Sequence, residues 1–131
     1  MKQHLALVAI VVADYDEAIA WYTEKLGFRL IEDTPQTPTK RWVVVAPPGP
    51  GGAGVLLAKA VDERQRQAIG SQTGGRVFLF LHTDDLERDH RAYASRGVTF
   101  VRQPSTQDWG SAAVFADLYG NLWDLVQPHL K

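Results

Sequence analysis

An unbroken apolar run rich in valine and isoleucine extends from Leu5 to Val12. Its length suits a strand covered on both faces. Asp14 follows in the position of a helix cap, and Ala18, Ile19, Tyr22 and Leu26 then recur at three- and four-residue steps. That spacing predicts a helix over Tyr15–Leu26 with one apolar side, and Gly27 is suited to stop it in a left-handed conformation. Phe28–Ile31, Arg41–Ala46 with its three consecutive valines, and Val55–Ala58 read as three further strands. The segment Pro47-Pro48-Gly49-Pro50-Gly51-Gly52 separates the last two, because proline cannot donate to a ladder and glycine weakens one. Polar Asp62–Ser71 reads as a short helix or a loop.

The same order then begins again. Val77–Leu81 is an apolar strand, and Asp84 or Asp85 caps a helix that runs through Arg96 to a stop at Gly97. Val98–Val101, Ala112–Ala116 and Leu122–Val126 are the strands that follow, the last two joined by the turn Asp117-Leu118-Tyr119-Gly120-Asn121. Asp14 to Asp85 and Tyr22 to Tyr93 share an offset of 71 positions, and Gly27 to Gly97 is 70, so the second helix is one residue shorter. A single mixed sheet without internal symmetry accommodates any one of these matches, but not their common order. The expected fold is therefore α+β: two β-α-β-β-β modules forming curled mixed sheets, with helices outside and a cavity on the concave side. Module one is placed at about residues 1–60, a connector at about 61–75 and module two at about 76–131, all within one domain.

Composition narrows the function. The 131 residues fit one domain, and 45% hydrophobic with 22% charged residues is ordinary for a globular protein. A net charge of -1, from 14 basic and 15 acidic residues, offers no general attraction to nucleic acid or anionic lipid. No apolar run approaches the length that crosses a membrane. The absence of cysteine removes disulfides, thiolate metal sites and cysteine nucleophiles, and a cytoplasmic protein is the expectation.

Three local strings carry a resemblance. Val12-Ala13-Asp14-Tyr15-Asp16-Glu17-Ala18-Ile19-Ala20-Trp21-Tyr22-Thr23-Glu24-Lys25-Leu26-Gly27-Phe28 is similar to the first-helix signature V-x-D…A-x-x-F/W-Y-x-x-x-L-G-F of the glyoxalase, bleomycin-resistance and extradiol-dioxygenase (vicinal oxygen chelate) superfamily. Phe115-Ala116-Asp117-Leu118-Tyr119-Gly120-Asn121-Leu122-Trp123-Asp124-Leu125 resembles its closing hairpin F-x-D-P-D/E-G-N-x-x-E-L, with Leu118 and Tyr119 departing from the pattern. Trp109-Gly110 stands where many bleomycin-resistance-like members carry the same pair. The resemblance implies the two-module fold, a small-molecule ligand in the sheet cavity, and a homodimer.

In metal-dependent members the first strand of each module offers a His or Gln seven residues before the Asp, and a fourth-strand Glu completes the set. Here those positions are Leu7 and Phe78, the strand Val55-Leu56-Leu57-Ala58 holds no ligand, and only Asp124 could coordinate. A divalent ion needs several converging N or O donors. No metal is expected in the usual site, and no cofactor is assigned. Among the histidines, His4 falls on the opposite strand face from Leu7, His90 and His129 read as solvated, and only His82 keeps the parity of Phe78.

His82 and Asp124 are thus the candidate acid–base pair, set against a reading in which His82 is satisfied by the turn Thr83-Asp84-Asp85 and Asp124 makes a structural bond. Trp42 and Trp109 are the candidate aromatic walls, and Phe78 and Phe80 add apolar surface; Trp21 and Trp123 read as packing residues, and Arg41 as a solvated edge residue. The Pro47–Gly54 stretch lacks the Gly-Lys-Ser/Thr ending of a phosphate loop. The expected function is binding of a small aromatic or planar molecule by Trp42, Phe78, Phe80, His82, Trp109 and Asp124. Two alternatives stand beside it: a metal-dependent lyase, isomerase or dioxygenase with displaced ligands, and a metal-free enzyme using His82 and Asp124.

Overall fold

The computed structural model describes residues 1–129, in which eight strands and three helices follow the expected order. The strands form two four-stranded mixed sheets, and the chain divides into two compact units, Met1–Ile69 and a second that begins at Gly70.

In the first unit the strands are β1 (Leu7–Val12), β2 (Arg29–Pro35), β3 (Arg41–Ala46) and β4 (Gly54–Lys59), with helices α1 (Tyr15–Leu26) and α2 (Glu63–Ala68). The sheet order is β1-β4-β3-β2, with β1 and β4 parallel and the other pairs antiparallel. Asp14 caps α1 by accepting from Glu17 N at 2.8 Å, and Gly27 ends it at φ 71°, where a side chain would be strained. The apolar stripe of α1 lies on one sheet face: Ala18, Tyr22, Ile10, Val12, Val43, Val45 and Leu57 are all fully buried. Full burial of each larger apolar side chain contributes about 1.5–3 kcal/mol before conformational entropy is subtracted. The expectation of a first strand covered on both faces is corrected here. Strand β1 lies at the sheet edge, begins at Leu7, and seals only Ile10 and Val12.

The second unit repeats this plan with β5 (Val77–His82), α3 (Leu86–Ser95), β6 (Thr99–Gln107), β7 (Gly110–Ala116) and β8 (Leu122–Pro128), ordered β5-β8-β7-β6. Asp85 caps α3 through Arg88 N at 3.0 Å. Beneath α3 the rings of Tyr93, Phe115 and Trp123 pack together, with Phe115 5.5 Å from Tyr93 and 5.9 Å from Trp123 between centroids. The β7–β8 turn is knotted by Asp117, whose carboxylate accepts from Tyr119 N, Asn121 N, the Asn121 amide and Trp123 Nε1. This buried acid holds the turn closed through four hydrogen bonds.

Several elements extend beyond the sequence expectation. Strand β2 runs to Pro35 and β6 to Gln107; both are edge strands whose polar residues face water, so no apolar alternation marks their ends. The polar stretch after Asp62 forms α2, capped by the Asp62 carboxylate at 2.8 Å from Gln65 N.

Candidate functional site

Strand alternation gives the second sheet two faces. Trp123 and Leu125 of β8 point toward α3, so Leu122, Asp124 and Val126 take the other side. Across that side the register aligns Phe80 on β5 with Asp124 on β8, Asp124 with Val114 on β7, and Val114 with Arg102 on β6. Phe80 is 65% exposed despite its apolar ring. A cleft of about 530 Å³ lies here, lined by Gly75, Arg76, Val77, Phe80, Arg102 and Leu122. Arg76 and Arg102 give its rim a positive character that sequence reading had not assigned. The signal was faint, because Arg102 reveals its cleft position only once β6 is paired with β7.

Asp124 stands in the row between the lining residues Phe80 and Arg102. Its Oδ1 is buried and, among the described residues, has no hydrogen-bond partner. Burial pushes this carboxyl above the usual range, and the positive charge of Arg102 partly opposes that. An orphaned buried acceptor costs about 1–3 kcal/mol.

The remaining expected site residues are dispersed. His82 is exposed at the end of β5, opposite Val126 and one row beyond Phe80 on the same face; among the described residues no hydrogen bond joins it to Asp124. The following turn is tied instead by the Thr83 hydroxyl donating to the Asp89 carboxylate. Phe78 falls in a bulge, where Val77 pairs with Leu122 and Leu79 with Trp123, so Val77 lines the cleft. Trp109 sits at the tip of the β6–β7 hairpin and is 54% exposed. Gly110 beside it is four residues along β7 from Val114, a separation of roughly 13 Å at the rise of a strand. Two histidines expected to be solvated have partners: His90 Nε2 lies 3.1 Å from Gln103 Oε1 with its ring against Phe100, and the His129 ring lies 3.0 Å from the Gln107 carbonyl.

Trp42 belongs to the first unit and to a different cavity, of about 510 Å³, at the end of the first sheet. Arg41 beside it is pinned rather than solvated. Its guanidinium donates to both Asp33 oxygens at 3.0 and 2.7 Å, reaches Asp16 at 2.9 Å, and lies 5.1 Å from the centre of the Tyr15 ring.

The metal set implied by the superfamily does not fit these residues. The register makes Leu56 the first-unit counterpart of Asp124, since Ala9 pairs with Leu56 as Phe80 pairs with Asp124. Leu7, Leu56 and Phe78 supply no donor atom, and among the described residues no three His, Cys, Asp or Glu side chains converge.

Comparison with known proteins agrees with this architecture. An uncharacterized protein of Shewanella frigidimarina is 58% identical over 128 residues, covering 97% of this chain and 95% of the relative. The crystal structure of UcmS2 superposes with a TM-score of 0.83 at 32% identity, covering 96% of this chain and 98% of that one. TnmS3, an antibiotic-binding protein from a Streptomyces species, superposes with a TM-score of 0.78 at 31% identity over 98% of both chains. The family model of the Glyoxalase/Bleomycin resistance protein/Dioxygenase superfamily matches residues 4–125, and the chain belongs to that superfamily.

Proposed function

We propose that the protein binds a small planar molecule in the cleft beside Phe80, on the face of its second sheet away from α3, without a metal in the superfamily's usual position. The ligand lies against the exposed ring of Phe80, flanked by Val77 and Leu122, and offers a hydrogen-bond donor to Asp124. The observation that carries this reading is the unpartnered, buried Oδ1 of Asp124 next to a large exposed aromatic ring. A ligand hydroxyl or amine that reaches this carboxylate relieves an existing penalty. The description of TnmS3, 31% identical over 98% of this chain, as an antibiotic-binding protein supports small-molecule binding. His82, one row beyond Phe80, extends the same face toward larger ligands, with Phe78 in the neighbouring bulge and Trp109 at the β6–β7 tip as further candidate contacts. The reading places the protein in the cytoplasm as a homodimer.

Calorimetric titration with 2-naphthol, a flat neutral donor, tests it. Phe80→Ala is expected to weaken binding roughly threefold to tenfold through lost ring contact. Asp124→Ala is expected to weaken it by a similar factor through the lost hydrogen bond. Equal dissociation constants for wild type and both variants would remove the site.

A further inference from the structure

We propose that Arg76 and Arg102 make the Phe80–Asp124 cleft selective for flat aromatic ligands that carry an oxyanion at one end and a hydroxyl at the other. This rests on the reading of that cleft as a ligand site and names the class of ligand it takes. Strict alternation along β6 would put Arg102 on the same face as Phe100, whose ring stacks on Tyr93 of α3. The bulge between them prevents this. Phe100 pairs with Phe115 and Arg102 with Val114, so Arg102 turns to the face of Phe80 and Asp124. The matching bulge of the first unit leads to Glu32 instead, so the fold itself does not demand a cation at this position. Arg76 reaches the cleft by another device. It follows Gly74 and Gly75, at φ 68° and 99°, and the Thr73 hydroxyl donates to the Arg76 carbonyl at 2.6 Å. That turn fixes the approach to β5, with Gly75, Arg76 and Val77 all lining the cleft.

The two guanidiniums differ from their counterparts elsewhere in the chain. Arg41, Arg66, Arg88 and Arg91 each hold a carboxylate within 3.1 Å. Among the described residues neither Arg76 nor Arg102 contacts one, and the charge of Arg102 reaches Asp124 through space rather than through a hydrogen bond. The cleft lining therefore presents two open forks of N–H donors beside the exposed Phe80 ring, and no acid of its own. Asp124, in the row between Phe80 and Arg102, supplies the acceptor. Arg102 and Asp124 stand two strands apart, about 10 Å across the sheet at the usual strand spacing. A two-ring ligand covers that span, with its carboxylate in the paired geometry that a guanidinium favours and its hydroxyl toward Asp124. The reverse orientation would set two anions against each other. A cationic ligand would meet two like charges in the same cleft.

The test is calorimetric titration of 6-hydroxy-2-naphthoate and of 2-naphthol at low salt into wild type, Arg76→Gln/Arg102→Gln and Phe80→Ala. A fourth protein, Lys2→Gln/Arg64→Gln, loses the same charge from other exposed positions. The hydroxynaphthoate is expected to bind wild type roughly tenfold more tightly than 2-naphthol. The double arginine variant is expected to erase that preference while leaving the affinity for 2-naphthol unchanged. Phe80→Ala should weaken both ligands, and the charge control neither. Both arginines are exposed, so their replacement leaves the core intact. Equal affinity of the two ligands for wild type, or a preference that outlasts the loss of both arginines, would overturn the inference and leave the Phe80–Asp124 reading standing. A preference lost equally in the charge control would also overturn it, by reducing the effect to net charge. Failure of both ligands to bind wild type would overturn the inference and the reading beneath it together.

Discussion

Asp124 holds a tension that a single substitution exposes. Its carboxyl is pushed above the ordinary value of 3.8 by burial, with Arg102 pulling the other way. A group whose folded pKa exceeds its unfolded one binds more protons in the folded state, so its contribution to stability is greatest at low pH and lost as pH rises. Asp124→Asn removes this titration and keeps the shape. The variant is therefore expected to gain on wild type as pH climbs from about 3.8 through the folded pKa, with a constant difference above it. Thermal melts of both proteins from acid to neutral pH check this, and a difference that does not vary with pH contradicts the assigned cause. Arg41 and Asp117 show the opposite condition, in which each charged group is met by several partners. Only Asp124, among these, is left with an unanswered oxygen, which is why it marks a site and they mark the frame.

Helix starts are the elements most directly written in local chemistry. Asp14, Asp62 and Asp85 each accept from the backbone N–H three residues on, and each is followed by a helix. Replacing Asp14 by Ala should cost about 1 kcal/mol, lowering the melting temperature by roughly 3–5 °C in a chain of this size. At Asp85 the loss should be no larger, because the Gln127 side chain also accepts from Leu86 N at 2.8 Å and keeps that terminus partly satisfied. Denaturant unfolding of the two variants separates these costs. Strands were harder to delimit. The apolar β3 was legible to its last residue, whereas the edge strands β2 and β6 end among polar residues that periodicity does not distinguish from loop. Both carry a bulge at the matching place, between Leu30 and Glu32 and between Phe100 and Arg102. The repeat therefore includes its irregularities, which neither strand announces by itself.

For the whole molecule, the donor count decides what chemistry to look for. Protein incubated with Zn²⁺, Ni²⁺, Mn²⁺ and Fe²⁺ and then desalted should retain far less than one ion per chain by mass spectrometry, because Leu7, Leu56 and Phe78 contribute no donors. Near-stoichiometric metal lost in Asp124→Ala would instead bring forward a displaced metal site. The two-module order, the bounds of α1 and the apolar residues at the usual metal positions were legible along the chain, since each depends on residues a few positions apart or on side-chain chemistry alone. The pairing order, the edge position of β1 and the bulge at Phe78 were not. Each rests on hydrogen bonds between strands distant in sequence, such as Phe80 with Asp124, and a one-residue change of register exchanges the two faces of a sheet. The same physics governs the candidate site. The chain by itself named Phe80, Asp124 and Trp42 as candidate ligand contacts; tertiary structure alone set Asp124 in the row between Phe80 and Arg102 and placed Trp42 at a different cavity, because a cleft is made by which faces meet and not by which residues exist.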